Sequence, residues 1–193
     1  TTGGGIRPSP YSTNFGVNAY TYADINSGLS QPHGIGFVWC TMLWEMTWEL
    51  INTYGLDPDI YNGTGGNNLA MQLVIDGMKL TPCNPGFVDA RDAILLADQV
   101  NNGGANQNAI WAAFARRGLG VSADQGSSNS RSDQTEAFDT PLPMNIGVSQ
   151  VISPSGNLLD CAAADLPVTV VVRNYGQSAQ TNFEVRYQLD GGS

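Results

Sequence analysis

A single histidine, His33, is the first residue of this sequence to weigh for chemistry. It stands just before Gly34 and a long apolar stretch, at what should be a helix N-terminus. There a neutral imidazole with a free N–H is a donor suited to a developing oxyanion. The alternative is a helix-start residue bonded to a loop carbonyl. Glu45 and Glu49 lie one helical turn apart. Paired carboxylates can bind a metal or act as acid and base, or can be a solvated stripe or partners for Arg91 or Arg116. Asp57-Pro58-Asp59 ahead of Asn62-Gly63 has the residue types of a calcium loop but not its spacing. Tyr61 stands where the loop needs Asn, and no Glu closes it, so the run reads as a turn. Asn62-Gly63-Thr64 matches a glycosylation acceptor, a pattern of low specificity. Cys40 and Cys83 fall in the helical part, where they either pair or remain buried thiols. Cys161 is left over.

These counts exclude several classes. One histidine in 193 residues cannot build a two-histidine zinc site, a Cys2His2 finger or a two-histidine relay, and three cysteines cannot make a four-cysteine site. Acids outnumber bases 17 to 8, for a net charge of −9, and Lys79 is the lone lysine. A phosphate-binding surface wants clustered Lys and Arg, so nucleic acid is not an expected partner. Charged residues make up only 13% of the chain, about half the globular average, with Gly, Asn, Ser and Thr in their place. That profile suits a secreted or envelope protein. With no apolar run of about 18 residues, no membrane span is expected. Thr1 reads as a processing boundary, and Leu189 to Ser193 reads as a stop inside something longer.

The elements that must position these residues follow from periodicity. Residues 1–32, rich in Gly, Pro, Tyr, Asn and Ser, read as extended loop. From Gly34 to Tyr54 the chain reads as a long, mostly buried helix, with Thr41, Glu45, Glu49 and Asn52 as a narrow polar stripe and Gly55 as its stop. A second helix is expected over 67–80, with Leu69, Leu73, Ile75 and Met78 repeating. A third is expected over 86–100, with Asn84 as N-cap, Pro85 at the first position, and Val88, Ile94, Leu95 and Leu96 inward. A fourth over 106–117 would bury Ile110, Trp111 and Phe114 and end on Arg116, Arg117 and Gly118, as the helix dipole favours. Residues 122–144 read as polar loop and linker. After residue 145 the period becomes two, at Val148, Val151, Val168, Val170, Val172, Phe183, Val185, Tyr187 and Leu189, with a turn at Asn174-Tyr175-Gly176. That is antiparallel β of sandwich type, but its 49 residues are about half of an immunoglobulin-like sandwich. The expected domains are a helical lobe (1–121), a polar loop and linker (122–144) and a partial immunoglobulin-like β-sandwich (145–193). The fold class is mainly α followed by partial all-β.

Specific strings carry a resemblance. Pro32-His33-Gly34-Ile35-Gly36-Phe37-Val38-Trp39-Cys40-Thr41-Met42-Leu43-Trp44-Glu45 resembles a stretch of the fungalysin family of zinc metallopeptidases. So do Leu73 to Pro85, Asp89 to Leu95 and Ile110 to Gly120. Gly5 to Thr13 matches more loosely. The resemblance covers roughly the first 120–140 residues. It implies a secreted, thermolysin-like, two-lobed endopeptidase that acts on protein or peptide substrates. Its zinc would sit on a His-Glu-x-x-His helix with a downstream Glu as third ligand, and the first Glu would activate the zinc-bound water. That motif does not occur here. This chain resembles the C-terminal helical lobe, whose partner is the N-terminal zinc-bearing lobe of the same protein. No metal ligand is expected in this chain, and the fragment alone is expected to hold no catalytic zinc and to cleave nothing.

The resemblance also gives roles. His33 with Gly36 matches the oxyanion-stabilising histidine at the start of a C-lobe helix. Arg7, 26 residues earlier, matches the arginine that binds the substrate carbonyl. The acid that orients the histidine does not match: the family carries one directly upstream, where this chain has Gln31-Pro32, and the nearest earlier acid is Asp24. The β segment, Val168 to Gly176 above all, resembles immunoglobulin-like modules appended to bacterial secreted peptidases, which points to a bacterial source. A rival reading is a non-catalytic extracellular module for protein or glycan binding, derived from a peptidase lobe.

Overall fold

The computed structural model describes residues 6–26, 28–142, 145–153, 167–174, 176 and 179–187. The chain divides into two compact units, Thr1–Thr140 and Pro141–Ser193.

The first unit is built on α1 (His33–Tyr54), α2 (Gly66–Leu80), α3 (Phe87–Asn102) and α4 (Gln107–Arg116). α1 is the centre. Phe37, Val38, Met42, Met46 and Leu50 are fully buried and pack with Leu73 of α2, Ile94 of α3, and Ile110 and Phe114 of α4. The mainly helical fold class therefore holds for this unit. α1 stops at Gly55, whose φ of 79° suits glycine and whose N–H returns to the Ile51 carbonyl at 2.7 Å. α2 then begins against the α1 backbone. A Cβ on Gly66 would collide with the main chain of Leu50 and Ile51.

Several expectations about faces are corrected. Of the two readings of the α1 polar stripe, solvated or paired, Glu45 follows the second: Thr41 and Glu45 are buried, Glu49 is half-buried and Asn52 is exposed. The reason is a cluster of polar partners behind α1, described below. Ile75 (48% exposed), Met78 (65%) and Leu96 (48%) face outward, because α2 and α3 pack mainly through Leu73, Gly77, Ile94 and Ala97. Asn84 is not the cap of α3. It adopts φ 55° in the preceding loop, and Gly86 is the N-cap. Glycine has no side chain to cap with, so Gln125 supplies the acceptor. Its Oε1 takes the Asp89 N–H at 3.0 Å, while the Asp89 carboxylate takes the Gly86 N–H at 3.0 Å.

The segment before α1 is more than loop. Tyr22–Asn26 form a short 3-10 helix that sends Tyr22 and Ile25 into the core, and Asn18 is fully buried. The polar stretch after α4 is tied to the same unit. Gly120 N–H bonds to the Ala137 carbonyl at 2.7 Å, and Asp124 and Thr135 exchange two bonds. Glu136 Oε2 accepts from the Thr21 hydroxyl at 2.7 Å and the Ala23 N–H at 3.2 Å.

In the second unit, β1 (Ile146–Ser153) and β2 (Thr169–Asn174) form one two-stranded antiparallel sheet. Val148 faces Val172 and Val151 faces Val170, with register shifts between Val148 and Gln150 and between Val151 and Ser153. The expected β character is present, but the described residues do not show a sandwich. The expected run Phe183–Leu189 forms no strand over its described part, 183–187. Tyr175, Leu189 and Cys161 lie outside the described residues.

Candidate functional site

His33 is the first residue of α1, and its side chain is exposed. Pro32 sits at the cap position and gives no side-chain cap. The turn closes through Gly34 N–H to the Ser30 carbonyl (2.7 Å) and Gly36 N–H to the Pro32 carbonyl (2.9 Å).

Arg7 reaches this point directly. Its Nη1 donates to the His33 carbonyl at 2.5 Å. A 26-residue separation thus becomes contact, although through the backbone of His33 and not its ring. The Arg7 guanidinium and the His33 backbone therefore meet at the N-terminus of α1.

Tyr11 lies beside them. Its ring stacks on Phe37 (centroids 5.3 Å apart, 27° between planes) and on Trp44 (6.2 Å, 29°). Burial and Cys40 hold the phenol above its usual range, and the Arg7 charge partly offsets them. Phe37, Cys40 and Trp44 follow His33 at four, seven and eleven residues, so one face of α1 carries all four.

The loop bearing Arg7 and Tyr11 is fixed from behind by Arg117. This guanidinium is fully buried. Its Nε donates to Glu45 Oε1 at 2.7 Å, Nη1 to the Asn18 carbonyl at 2.7 Å, and Nη2 to the Ser12 carbonyl at 2.8 Å. The Phe15 ring lies 4.1 Å from the guanidinium carbon. Arg116 approaches Glu45 Oε2 at 3.4 Å and donates to the Thr13 carbonyl at 2.8 Å. Sequence reasoning named Arg116 as a Glu45 partner and missed Arg117, whose place after α4 suggested only a dipole effect. Arg91 is not a Glu45 partner in the observed pairs. It binds the Leu119 and Gly120 carbonyls and lies over Trp111.

Asp24 uses its Oδ2 to accept the Thr21 N–H at 2.7 Å, at the start of the 3-10 turn. Asp57 and Asp59 spend their oxygens within their own turn, on the N–H groups of Asp59, Thr64, Tyr61 and Asn62. Cys40 and Cys83 are both free thiols, the first half-buried on α1, the second exposed in the α2–α3 loop. The expected alternative of a Cys40–Cys83 bridge is thus not what the fold forms. A 780 Å3 cleft lined by Tyr54, Tyr61, Met71 and Ile75 shares no lining residue with the His33 cluster.

A catalytic zinc takes three protein ligands. Among the described residues, no three His, Cys, Asp or Glu side chains are placed to hold a metal ion, and the whole chain has one histidine. The described residues do not fit such a centre. Among the described residues, no helix is long and apolar enough to cross a membrane.

The family model described as fungalysin metallopeptidase (M36) matches residues 1–123. The chain belongs to the fungalysin family. Its relatives include extracellular metalloproteinase 2 of Arthroderma gypseum, 49% identical over 144 residues, which are 72% of this chain and 22% of that protein. Extracellular metalloproteinase MEP of Neosartorya fischeri is 54% identical over 139 residues, 69% of this chain and 22% of that protein. The chain spans about a fifth of the length of these fungalysin relatives. Both relatives are fungal, so the expectation of a bacterial source gains no support from them.

Proposed function

We propose that this chain is the C-terminal part of a secreted zinc endopeptidase that hydrolyses internal peptide bonds of protein or peptide substrates. The observation that carries the reading is the Arg7–His33 contact at the exposed N-terminus of α1, within a chain of the fungalysin family whose relatives are named extracellular metalloproteinases. His33 donates its ring N–H to the oxyanion of the tetrahedral intermediate, and Arg7 binds a substrate carbonyl. The zinc and its His-Glu-x-x-His ligands belong to an N-terminal lobe outside this sequence. On this reading the lobe supplies donors to a reaction centred elsewhere, and residues 1–193 alone bind no stoichiometric zinc and cleave nothing. Residues 1–121 form the peptidase lobe, 122–144 the loop and linker, and 145–193 the first part of an immunoglobulin-like sandwich. The sandwich reading is supported by the two-residue alternation and the β1–β2 pairing.

The test is His33→Ala and His33→Phe in the full-length enzyme. Turnover should fall by about 10²- to 10³-fold, the usual cost of removing one oxyanion donor. Unchanged turnover refutes the role. Stoichiometric zinc on the isolated chain refutes the placement of the ligands.

A further inference from the structure

We propose that Asn18 is a positioning residue for Arg7: its buried carboxamide holds the chain segment that delivers the Arg7 guanidinium to the N-terminus of α1. The inference rests on the reading of Arg7 as a substrate-binding residue. It starts from the run Arg7-Pro8-Ser9-Pro10. Each proline has its φ fixed by its ring, and each residue ahead of a proline is confined to extended backbone. Few soft dihedrals remain between Arg7 and Pro10. Whatever fixes Pro10 therefore fixes where the Arg7 side chain starts.

Asn18 fixes Pro10. The chain turns after Asn14, whose carbonyl accepts the Val17 and Asn18 N–H groups at 2.9 and 3.0 Å. Asn18 Nδ2 then donates to the Pro10 carbonyl at 3.3 Å and to the Thr41 hydroxyl of α1 at 3.1 Å. Its Oδ1 accepts the Tyr20 N–H at 3.2 Å, and its own carbonyl accepts Arg117 Nη1 at 2.7 Å. The Thr41 hydroxyl donates in turn to the Phe37 carbonyl at 3.0 Å. Asn18 and Thr41 are both wholly buried. The carboxamide has one orientation, because turning it over sets its NH2 against the Tyr20 N–H and its oxygen against the Pro10 carbonyl. Asn18 thus joins the arm that carries Arg7 to the helix that begins at His33. The bond from Arg7 to the His33 carbonyl lies at the far end of that arm.

Thr41→Val in the full-length enzyme keeps the side-chain shape and removes the acceptor that ties Asn18 to α1. KM should rise about three- to tenfold with kcat little changed, since the lost hydrogen bond acts through a group that binds substrate. Thr41→Ser keeps the hydroxyl and should keep the wild-type KM. Asn18→Asp retains the acceptor for the Tyr20 N–H, loses both donations, and should raise KM at least as far. In an Arg7→Ala background, Thr41→Val should add no further loss. A merely structural role lowers the thermal midpoint and leaves KM, measured well below that midpoint, at the wild-type value. Wild-type KM in Thr41→Val, a raised KM in Thr41→Ser, or losses that multiply with Arg7→Ala overturn the proposal. If Asn18→Asp does not fold, Thr41→Val decides alone. If His33→Ala and Arg7→Ala are both harmless, the functional reading itself fails. If they are impaired and Thr41→Val is not, only the positioning role fails.

Discussion

Glu45 and Arg117 lie 72 residues apart in sequence and form an ion pair at 2.7 Å with both side chains almost wholly excluded from water. The pair ties α1 to the residue that follows α4. The remaining Arg117 donors fasten the Ser12–Tyr20 loop to the same point. Every donor direction of the guanidinium is thus used, which is what makes a buried charge tolerable.

Breaking the pair should be costly. Glu45→Ala leaves a buried, unpaired guanidinium, and a loss of about 3–5 kcal/mol is expected. Urea unfolding of the chain, followed by far-UV circular dichroism, measures it. A loss under about 1 kcal/mol would place the pair with surface bridges.

Tyr22 predicts an alkaline limit. Burial pushes its phenol up to about 12, against about 10 in an unfolded chain. A raised folded value means that the native state holds the proton more tightly. The contribution to stability is complete below about pH 10 and is lost as pH rises toward 12. Tyr22→Phe should flatten the fall in stability over that window. An unchanged slope would mean that other groups govern it.

The α3 cap offers a third measurement. Gln125→Ala removes the acceptor of the Asp89 N–H and a 2.6 Å donor to the Asp89 carboxylate. A loss of about 0.5–2 kcal/mol is expected. The two residues should couple in a double-mutant cycle with Asp89→Ala, and additive losses would argue against a shared cap.

Thiol labelling separates the two described cysteines. Cys83 is exposed, and Cys40 is half-buried on α1. Peptide mapping after brief alkylation of the folded chain should find Cys83 modified well before Cys40. Equal rates would show that the packing around Cys40 opens readily.

How much of this could be read from residues alone depended on range. The helices were legible because their signals are local: apolar spacing in α1, Gly55 after it, and Pro82 and Pro85 between α2 and α3. The outward turn of Ile75 and Leu96 was not, because periodicity marks an apolar face without saying how much of it a neighbour covers. Gln125 capping α3 from 36 residues downstream and Arg117 pairing with Glu45 leave no local trace. His33 was conspicuous as the lone histidine at a helix start, and Arg7 came only with the family resemblance. No spacing argument could place the Arg7 guanidinium on the His33 carbonyl, since the path between them has one short 3-10 turn and no longer regular repeat. The β segment showed its alternation plainly, yet two strands do not dictate what they pack against.

The bonds from Glu136 to Thr21 and Ala23, with Arg131 Nη1 on the Leu29 carbonyl at 2.7 Å, bear on where the gene can be cut. A protein ended at residue 121 keeps all four helices but unclasps the strap that carries the 3-10 turn into α1. Proteases should nick such a truncated chain between Tyr20 and Ser30, while one that continues through Thr140 resists them. The unassuming Ser- and Asp-rich stretch then serves as a latch.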